Sequence, residues 1–361
     1  MLCLLAWPIA GRSQDRPASG AVGWPEADRL FHSDPRWLGG DAAFSVDLGG
    51  GRVLWFFGDS FAATRPGATR RQAAFVRNSV AIQFGYDPAQ ATIRFYTGHH
   101  RGRLADYLAA PEPNQWLWPL HGIRLGDRLL LFTMRQTRDP KPGALGFQSI
   151  GSRAFLVDRP DADPSQWKPR PVPTPESDGK MLVGMALVRE AGFLYAYVLN
   201  DADHMAFLLR WSEAEAAGGR LLQPYWWCGA GGGWQTSPKL RQPVIRDAGG
   251  EFSVQRDPRG TGFLEVNSAG FGATSIVLRR AARPEGPWSE PQTLYWPPES
   301  AEPGLLVYAA KSHPELAGGD LVVTYAANGP DERLATDMNL YFPRFVRVSL
   351  SEQAHTAFAH P

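Results

Sequence analysis

The chain has 361 residues, with 37 Lys and Arg against 36 Asp and Glu for a formal net charge of +1 at pH 7. That balance, with no long basic run, leaves no electrostatic footprint for nucleic acid, and no apolar run reaches the ~18 residues of a membrane span. Hydrophobic residues at 43%, punctuated by 31 Pro and 38 Gly, point to many turns around a large core rather than to long helices.

Residues 1–14 carry a short apolar run ending in small residues, like the second half of a secretory signal but without its positive start. We read residues 1–24 as a signal segment or N-terminal tail, and expect a secreted or periplasmic protein. Residues 25–361 show no linker or low-complexity tract and are expected to form one domain. Cys3 lies in the leading segment and Cys228 follows a Trp pair, so no disulfide framework exists. Cys228 reads as buried packing.

From Asp41 to Ser60 two apolar runs flank Gly49-Gly50-Gly51. Three glycines supply the positive φ that a tight hairpin needs. With the turn centred on Gly50, Asp41 and Asp59 fall opposite each other at the hairpin's open end. Directly opposed like charges destabilise a sheet, so the pair is costly for a purely structural motif. Opposed acids also occur in calcium sites and structural networks, so the spacing alone is moderately specific.

The hairpin design recurs at 117–137, 181–200, 251–268 and 307–328, with turns near Gly126-Asp127, Glu190 to Gly192, Arg259 to Gly262 and Gly318-Gly319. One or two further strand-like runs follow each hairpin. Two units also close on a Trp-Pro phrase, at Trp167 to Pro169 and at Trp288 to Pro291. The only helical stretch lies near Ser212 to Ala217. Five units of about four strands at a regular spacing predict an all-β, five-bladed β-propeller. A two-domain β-sandwich is the alternative, and it leaves the five similar hairpins unexplained.

In a propeller the first strand of every blade lines the central channel, so the open ends of the hairpins gather at one mouth. The second strands end there in Asp59, Gln136, Asn200, Asn267 and Asn328. Ordinary strand termination explains the amides about as well as a binding site does. The carboxylates Asp41, Asp59 and, by mirroring about its turn, Glu251 are harder to set aside. Acids with Trp116, Trp118 and Trp234 nearby suit a sugar, whose hydroxyls need acceptors and whose apolar faces stack on indole.

Other chemistries find no motif. HExxH, paired CxxC, GxxxxGK[ST] and GxSxG are all missing, and Gly229-Ala230-Gly231 lacks the third glycine of a dinucleotide loop. His99-His100 reads as a solvated pair in an Arg-rich loop. His313 lies inside the fifth channel strand, where interior hydrogen bonding and substrate contact weigh equally. No metal or cofactor is expected. Glycoside cleavage needs one carboxyl group as acid and another as nucleophile or base, and two close carboxylates push one pKa upward. Asp41 and Asp59 meet that need. Held close on one hairpin, they favour a retaining double displacement, with Asp59 as proton donor and Asp41 as nucleophile. Pairing of Glu251 with one aspartate across the channel would instead permit inversion.

The phrases Gly40-Asp41, Trp55-Phe56-Phe57-Gly58-Asp59-Ser60 and Arg77-Asn78-Ser79 resemble the glycoside hydrolase family 183 endo-D-arabinanases and related propellers. So do Glu251 to Val254, Gly286-Pro287-Trp288-Ser289, Ser312 to Leu316, Tyr325 to Asn328 and Tyr341 to Phe345. The resemblance spans about residues 30 to 350, and the paired-Asp block is its most specific part. It implies a five-bladed propeller that cleaves arabinofuranosyl linkages in a cell-wall or extracellular polysaccharide without a redox cofactor. The two catalytic aspartates fall on Asp41 and Asp59. Asn78, Glu251, His313, Asn328 and Arg344 match other motif positions and are expected substrate contacts, together with Trp118. The insertion from His99 to Asn114 departs from the pattern, and the substrate need not be D-arabinan.

A sialidase-like enzyme would show SxDxGxTW turns, and none is present. A carbohydrate-binding propeller without turnover keeps the tryptophans but has no need of opposed acids. The expected partner is an oligo- or polysaccharide, not nucleic acid or membrane, and the expected state is a monomer.

Overall fold

The computed structural model describes residues 20–139, 146–175, 179–260, 262–316 and 321–350. Most of the leading segment with Cys3, and the fifth turn at Gly318-Gly319, lie outside the described residues.

Five antiparallel sheets account for the chain in order. Blade one holds Phe44–Gly49, Arg52–Phe57, Ser79–Phe84 and Thr92–Tyr96. Blade two holds Gln115–Leu125, Arg128–Arg138, Phe147–Val157 and Arg170–Val172. Blade three holds Met181–Glu190, Phe193–Asn200, Met205–Ser212 and Tyr225–Trp227, with Trp234–Gln235 added outside. Blade four holds Phe252–Arg256, Phe263–Ser268, Ile276–Ala281 and Gln292–Tyr295. Blade five holds Leu306–Ser312, Leu321–Asn328 and Arg344–Val348 from the end of the chain, and its outer strand, Ala21–Gly23, comes from the beginning. The protein is a five-bladed β-propeller whose last blade joins both ends of the chain.

Local chemistry explains the elements. Gly49, Gly50 and Gly51 all take positive φ, so the first hairpin turns where only glycine is unstrained. Both neighbours of Trp55 are buried as completely as Trp55 itself, because the strand Arg52–Phe57 packs on both faces. The short helix Glu213–Ala217 starts on a capping box in which the Ser212 and Glu215 side chains satisfy each other's backbone N–H. Among the described residues no helix is long and apolar enough to cross a membrane.

Aromatic packing closes the ring between blades five and one. Phe31 stacks on Phe345 at 5.1 Å and meets Trp55 edge-on at 5.0 Å, while Trp24 meets Phe345 at 6.4 Å. The segment between the first strand and blade one is therefore a plug in the seam. Two additions crown blade one: a small sheet of Trp37–Gly40, Ser60–Ala62 and Ala74–Val76, and a hairpin of Gly98–His100 with Arg103–Ala105. The hairpin belongs to the insertion that the sequence sets apart.

Candidate active site

The inner hairpin of blade one builds the centre of the site. Its register pairs Phe44 with Phe56 and Ser45 with Trp55, and beyond a break pairs Gly40 with Ser60. Asp41 and Asp59 lie in the interval between. The break is made by Ala42 and Ala43, whose φ values of 64° and 57° put two non-glycine residues in the left-handed region. Such residues cost on the order of 1–3 kcal/mol each and persist where the surroundings hold them. Gly58 closes the interval, its N–H donating to the Asp41 carbonyl at 3.1 Å. A Cβ on Gly58 would stand 2.5 Å from Asp41 Oδ1, so only glycine leaves that oxygen its place.

Each aspartate has its own set of donors. Tyr308 and Tyr341 hydroxyls both donate to Asp41 Oδ2, at 2.8 and 3.0 Å. Tyr341 also reaches the Asp59 carbonyl at 3.1 Å, so one phenol ties the two acids together. Asp59 receives the Trp118 indole N–H on Oδ1 at 2.7 Å and the Arg77 guanidinium on Oδ2 at 3.1 Å. Arg77 in turn lies over the Trp116 ring at 4.4 Å. Burial pushes both carboxyls up. Asp41 is raised to about 7, first by burial and then by the charges of Asp59 and Glu251. Asp59 is raised to about 6, because Arg77 and Trp118 offset part of its burial.

A third carboxylate faces the pair from blade four. Glu251 Oε2 accepts from Lys311 Nζ at 2.5 Å, and Lys311 is 1% exposed, with its ammonium 4.4 Å above the Phe44 ring. Burial lowers the Lys311 pKa, and Glu251 and Asp41 oppose the shift. A bulge between Tyr308 and Lys311 turns both side chains of this channel strand to use, with Ala309 at φ 59°.

Around these groups opens a cleft of 2940 Å³, lined by all five blades and continuing along the outer strands of blade four past Trp288. Asp59, Gln136 and Asn328 line it directly, and Asp201 and Ser268 do so next to Asn200 and Asn267. The five strand ends thus gather at one mouth. Asp41, Glu251 and Trp118 also line it, and Trp118 packs against Phe147 at 4.6 Å. Among the described residues no group of three or more His, Cys, Asp or Glu is placed to hold a metal ion.

Three expected substrate contacts lie elsewhere. His313 is 2% exposed, with Nδ1 bonded to Ser45 Oγ at 2.6 Å and Nε2 to Thr324 Oγ1 at 2.7 Å. It is not part of the cleft lining, and both ring nitrogens are engaged in the interior. Asn78 is fully buried and bonds the backbone of Leu108 and Leu117, fastening the insertion to blade one. Arg344 bonds Glu299 at 3.1 Å and the Asn339 carbonyl at 3.1 Å outside the cleft. Of the expected tryptophans, Trp234 sits under Arg210 in blade three, with the guanidinium 4.1 Å from its ring, and neither it nor Trp116 is in the cleft lining. Sequence reading missed Tyr308, Tyr341, Lys311 and the pairing of Arg77. Tyr341 opens the very phrase from which Arg344 is chosen, and Lys311 stands two residues before His313.

A family model described as a domain of unknown function, DUF5005, matches residues 26–351. No curated protein sequence matches the chain. Among solved structures, a protein of Bacteroides ovatus ATCC 8483, provisionally named a hydrolase, is similar at a TM-score of 0.74 and 17% identity, over 94% of this chain and 93% of that one. That similarity shows the fold. An α-L-arabinofuranosidase of Podospora anserina solved with cellotriose has a TM-score of 0.47 at 11% identity, over 86% and 91% of the two chains. A family-43 enzyme from Xanthomonas citri solved with xylotriose has 0.48 at 13%, over 90% and 91%.

Proposed function

We propose, for a chain that belongs to the DUF5005 family, that it is a glycoside hydrolase cleaving arabinofuranosyl linkages in an extracellular or cell-wall polysaccharide. One observation carries the reading. Two largely buried carboxyls, Asp41 and Asp59, share a polar cleft, both are raised in pKa, and among the described residues only Asp59 has a direct cationic partner. That asymmetry is what acid and nucleophile require. The names of the arabinofuranosidase and family-43 structures agree with this direction, as does the resemblance of the paired-Asp block to endo-D-arabinanases.

The electrostatics support the reverse of the role order expected from sequence. Arg77 and the Trp118 indole favour the charged form of Asp59, which makes it the nucleophile. Among the described residues Asp41 has no such cation, and it keeps its proton to higher pH, which makes it the acid. Both phenols occupy Oδ2, so the proton sits on Oδ1, the oxygen beside Gly58. Asp41 protonates the leaving oxygen as Asp59 attacks the anomeric carbon. Asp41 then takes a proton from the water that frees the sugar. Placement on one hairpin supports retention, since inversion needs room for a water between the carboxyls. Glu251 and Asn328 supply further acceptors for sugar hydroxyls, and export places the protein where such glycans are.

Incubation with a panel of arabinans and other cell-wall glycans tests the reading. Reducing ends appear with the arabinofuranosyl polymers, and proton NMR shows the first product with the configuration of the cleaved linkage. No release from any glycan overturns the hydrolase reading, and an inverted first product overturns the double displacement.

A further inference from the structure

Two large exposed apolar side chains face the cleft. Phe271 is 58% exposed and Trp296 55%, and both are part of the cleft lining. Scattered exposed apolar residues need no explanation, but these two sit on fastened loops. Phe271 lies between the second and third strands of blade four. Its neighbour Gly272 exchanges both backbone hydrogen bonds with Val307 of blade five, at 3.1 and 2.9 Å. Beyond Trp296, Ser300 Oγ donates to the Thr274 carbonyl at 2.6 Å and accepts from the Thr274 N–H at 3.3 Å. The two loops are thus tied to each other and to the neighbouring blade.

Their place relative to the acids is equally defined. The Phe271 ring lies 5.2 Å from Tyr308, inclined at 45°, and the Tyr308 hydroxyl bonds Asp41. One side chain separates Phe271 from the proton donor. Trp118, which bonds Asp59, packs with Phe147 to give the other acid its own aromatic neighbours.

We propose that Phe271 and Trp296 form a sugar-binding platform on the Asp41 side of the cleft, stacking units of the glycan next to the one being cleaved. The inference rests on the glycoside hydrolase reading above. Separate flat rings with Ser268, Ser275 and Asn328 on the same lining give apolar faces and hydroxyl partners together, which is the chemistry of a sugar ring. Because tethered loops already hold the rings, little conformational freedom remains to be lost on binding.

Calorimetric titration of Asp41→Asn with α-arabinofuranosyl oligosaccharides of increasing length tests the platform. Adding Phe271→Ala or Trp296→Ala weakens binding of the longer oligosaccharides about tenfold, and the gap closes for the shortest. Phe271→Tyr, which keeps the ring, restores the affinity. Unchanged affinity at every length in both alanine variants overturns the platform and leaves the hydrolase reading standing. So does failure of Phe271→Tyr to restore binding. If Asp41→Asn binds none of the oligosaccharides, the hydrolase reading falls and the platform with it.

Discussion

At the scale of the residue, the site depends on where single protons and single atoms sit. Asp41 has a folded pKa of about 7, well above the ordinary carboxylate value near 3.9. A group raised in the folded state contributes stability that is complete below the unfolded pKa and lost as pH rises through the folded one. Wild-type protein therefore loses stability between about pH 4 and 7, where the carboxyl ionises in the unfolded chain while the buried one still holds its proton. Asn at position 41 never ionises. The melting temperature of Asp41→Asn, relative to wild type, should accordingly rise by a few degrees between pH 5 and pH 8, and an equal difference at both pH values would contradict the burial argument. Gly58 makes a separate claim. A methyl group there displaces Asp41 Oδ1, and a shift near 1 Å costs on the order of 10²-fold in rate. Gly58→Ala should lose that much kcat with its fold intact by circular dichroism, whereas near wild-type turnover would remove Oδ1 from the mechanism.

At the scale of the element, bulges and straps decide which side chains reach the cleft. Period-two reading of the fifth channel strand puts His313 and Lys311 on one face, and the sequence offers the histidine as the more chemical of the two. The bulge between Tyr308 and Lys311 brings those two side chains to the same cleft, Lys311 to Glu251 and Tyr308 to Asp41, while His313, two residues further along the strand, is held by Ser45 and Thr324. No residue pattern announces a bulge whose left-handed position is filled by Ala309. The loop before blade five's third strand is also set by a distant group. The Arg70 guanidinium donates to the carbonyls of Leu38, Leu334, Asp337 and Leu340, pinning the approach to Tyr341 against blade one. Tyr341 then spans both acids. Its hydrogen bond favours the charged form of Asp41, so removing it raises the Asp41 pKa further. In Tyr341→Phe the alkaline limb of the pH–rate profile should move up by about one unit, and an unmoved limb would mean that the phenol is structural only.

At the scale of the whole molecule, more was legible. Glycine turns and apolar runs at a regular spacing predict the five blades, and the pairing centred on Gly50 matches the register of the first hairpin. What the repeat cannot show is how a ring closes, because the first strand, Ala21–Gly23, pairs with the last, Arg344–Val348, across the 320 residues between them. Ala21, Val22 and Gly23 pair with Val348, Arg347 and Val346, and although Ala21 packs on the blade-five core, Val22 is 57% exposed, so backbone bonds supply much of the hold on this outer strand. At about 1 kcal/mol per hydrogen bond, deleting the chain up to Gly23 should cost roughly 2–4 kcal/mol in urea unfolding, and no loss would mean the aromatic plug closes the ring alone. The closed ring is what carries five strand ends to one mouth and Asp41 and Asp59 to its floor. The most direct test of that account compares reducing-end release from arabinan by wild type, Asp41→Asn and Asp59→Asn under identical conditions. The account predicts release by wild type and a loss of about 10²–10⁴-fold in each folded variant; more than about a tenth of wild-type activity in both would contradict it.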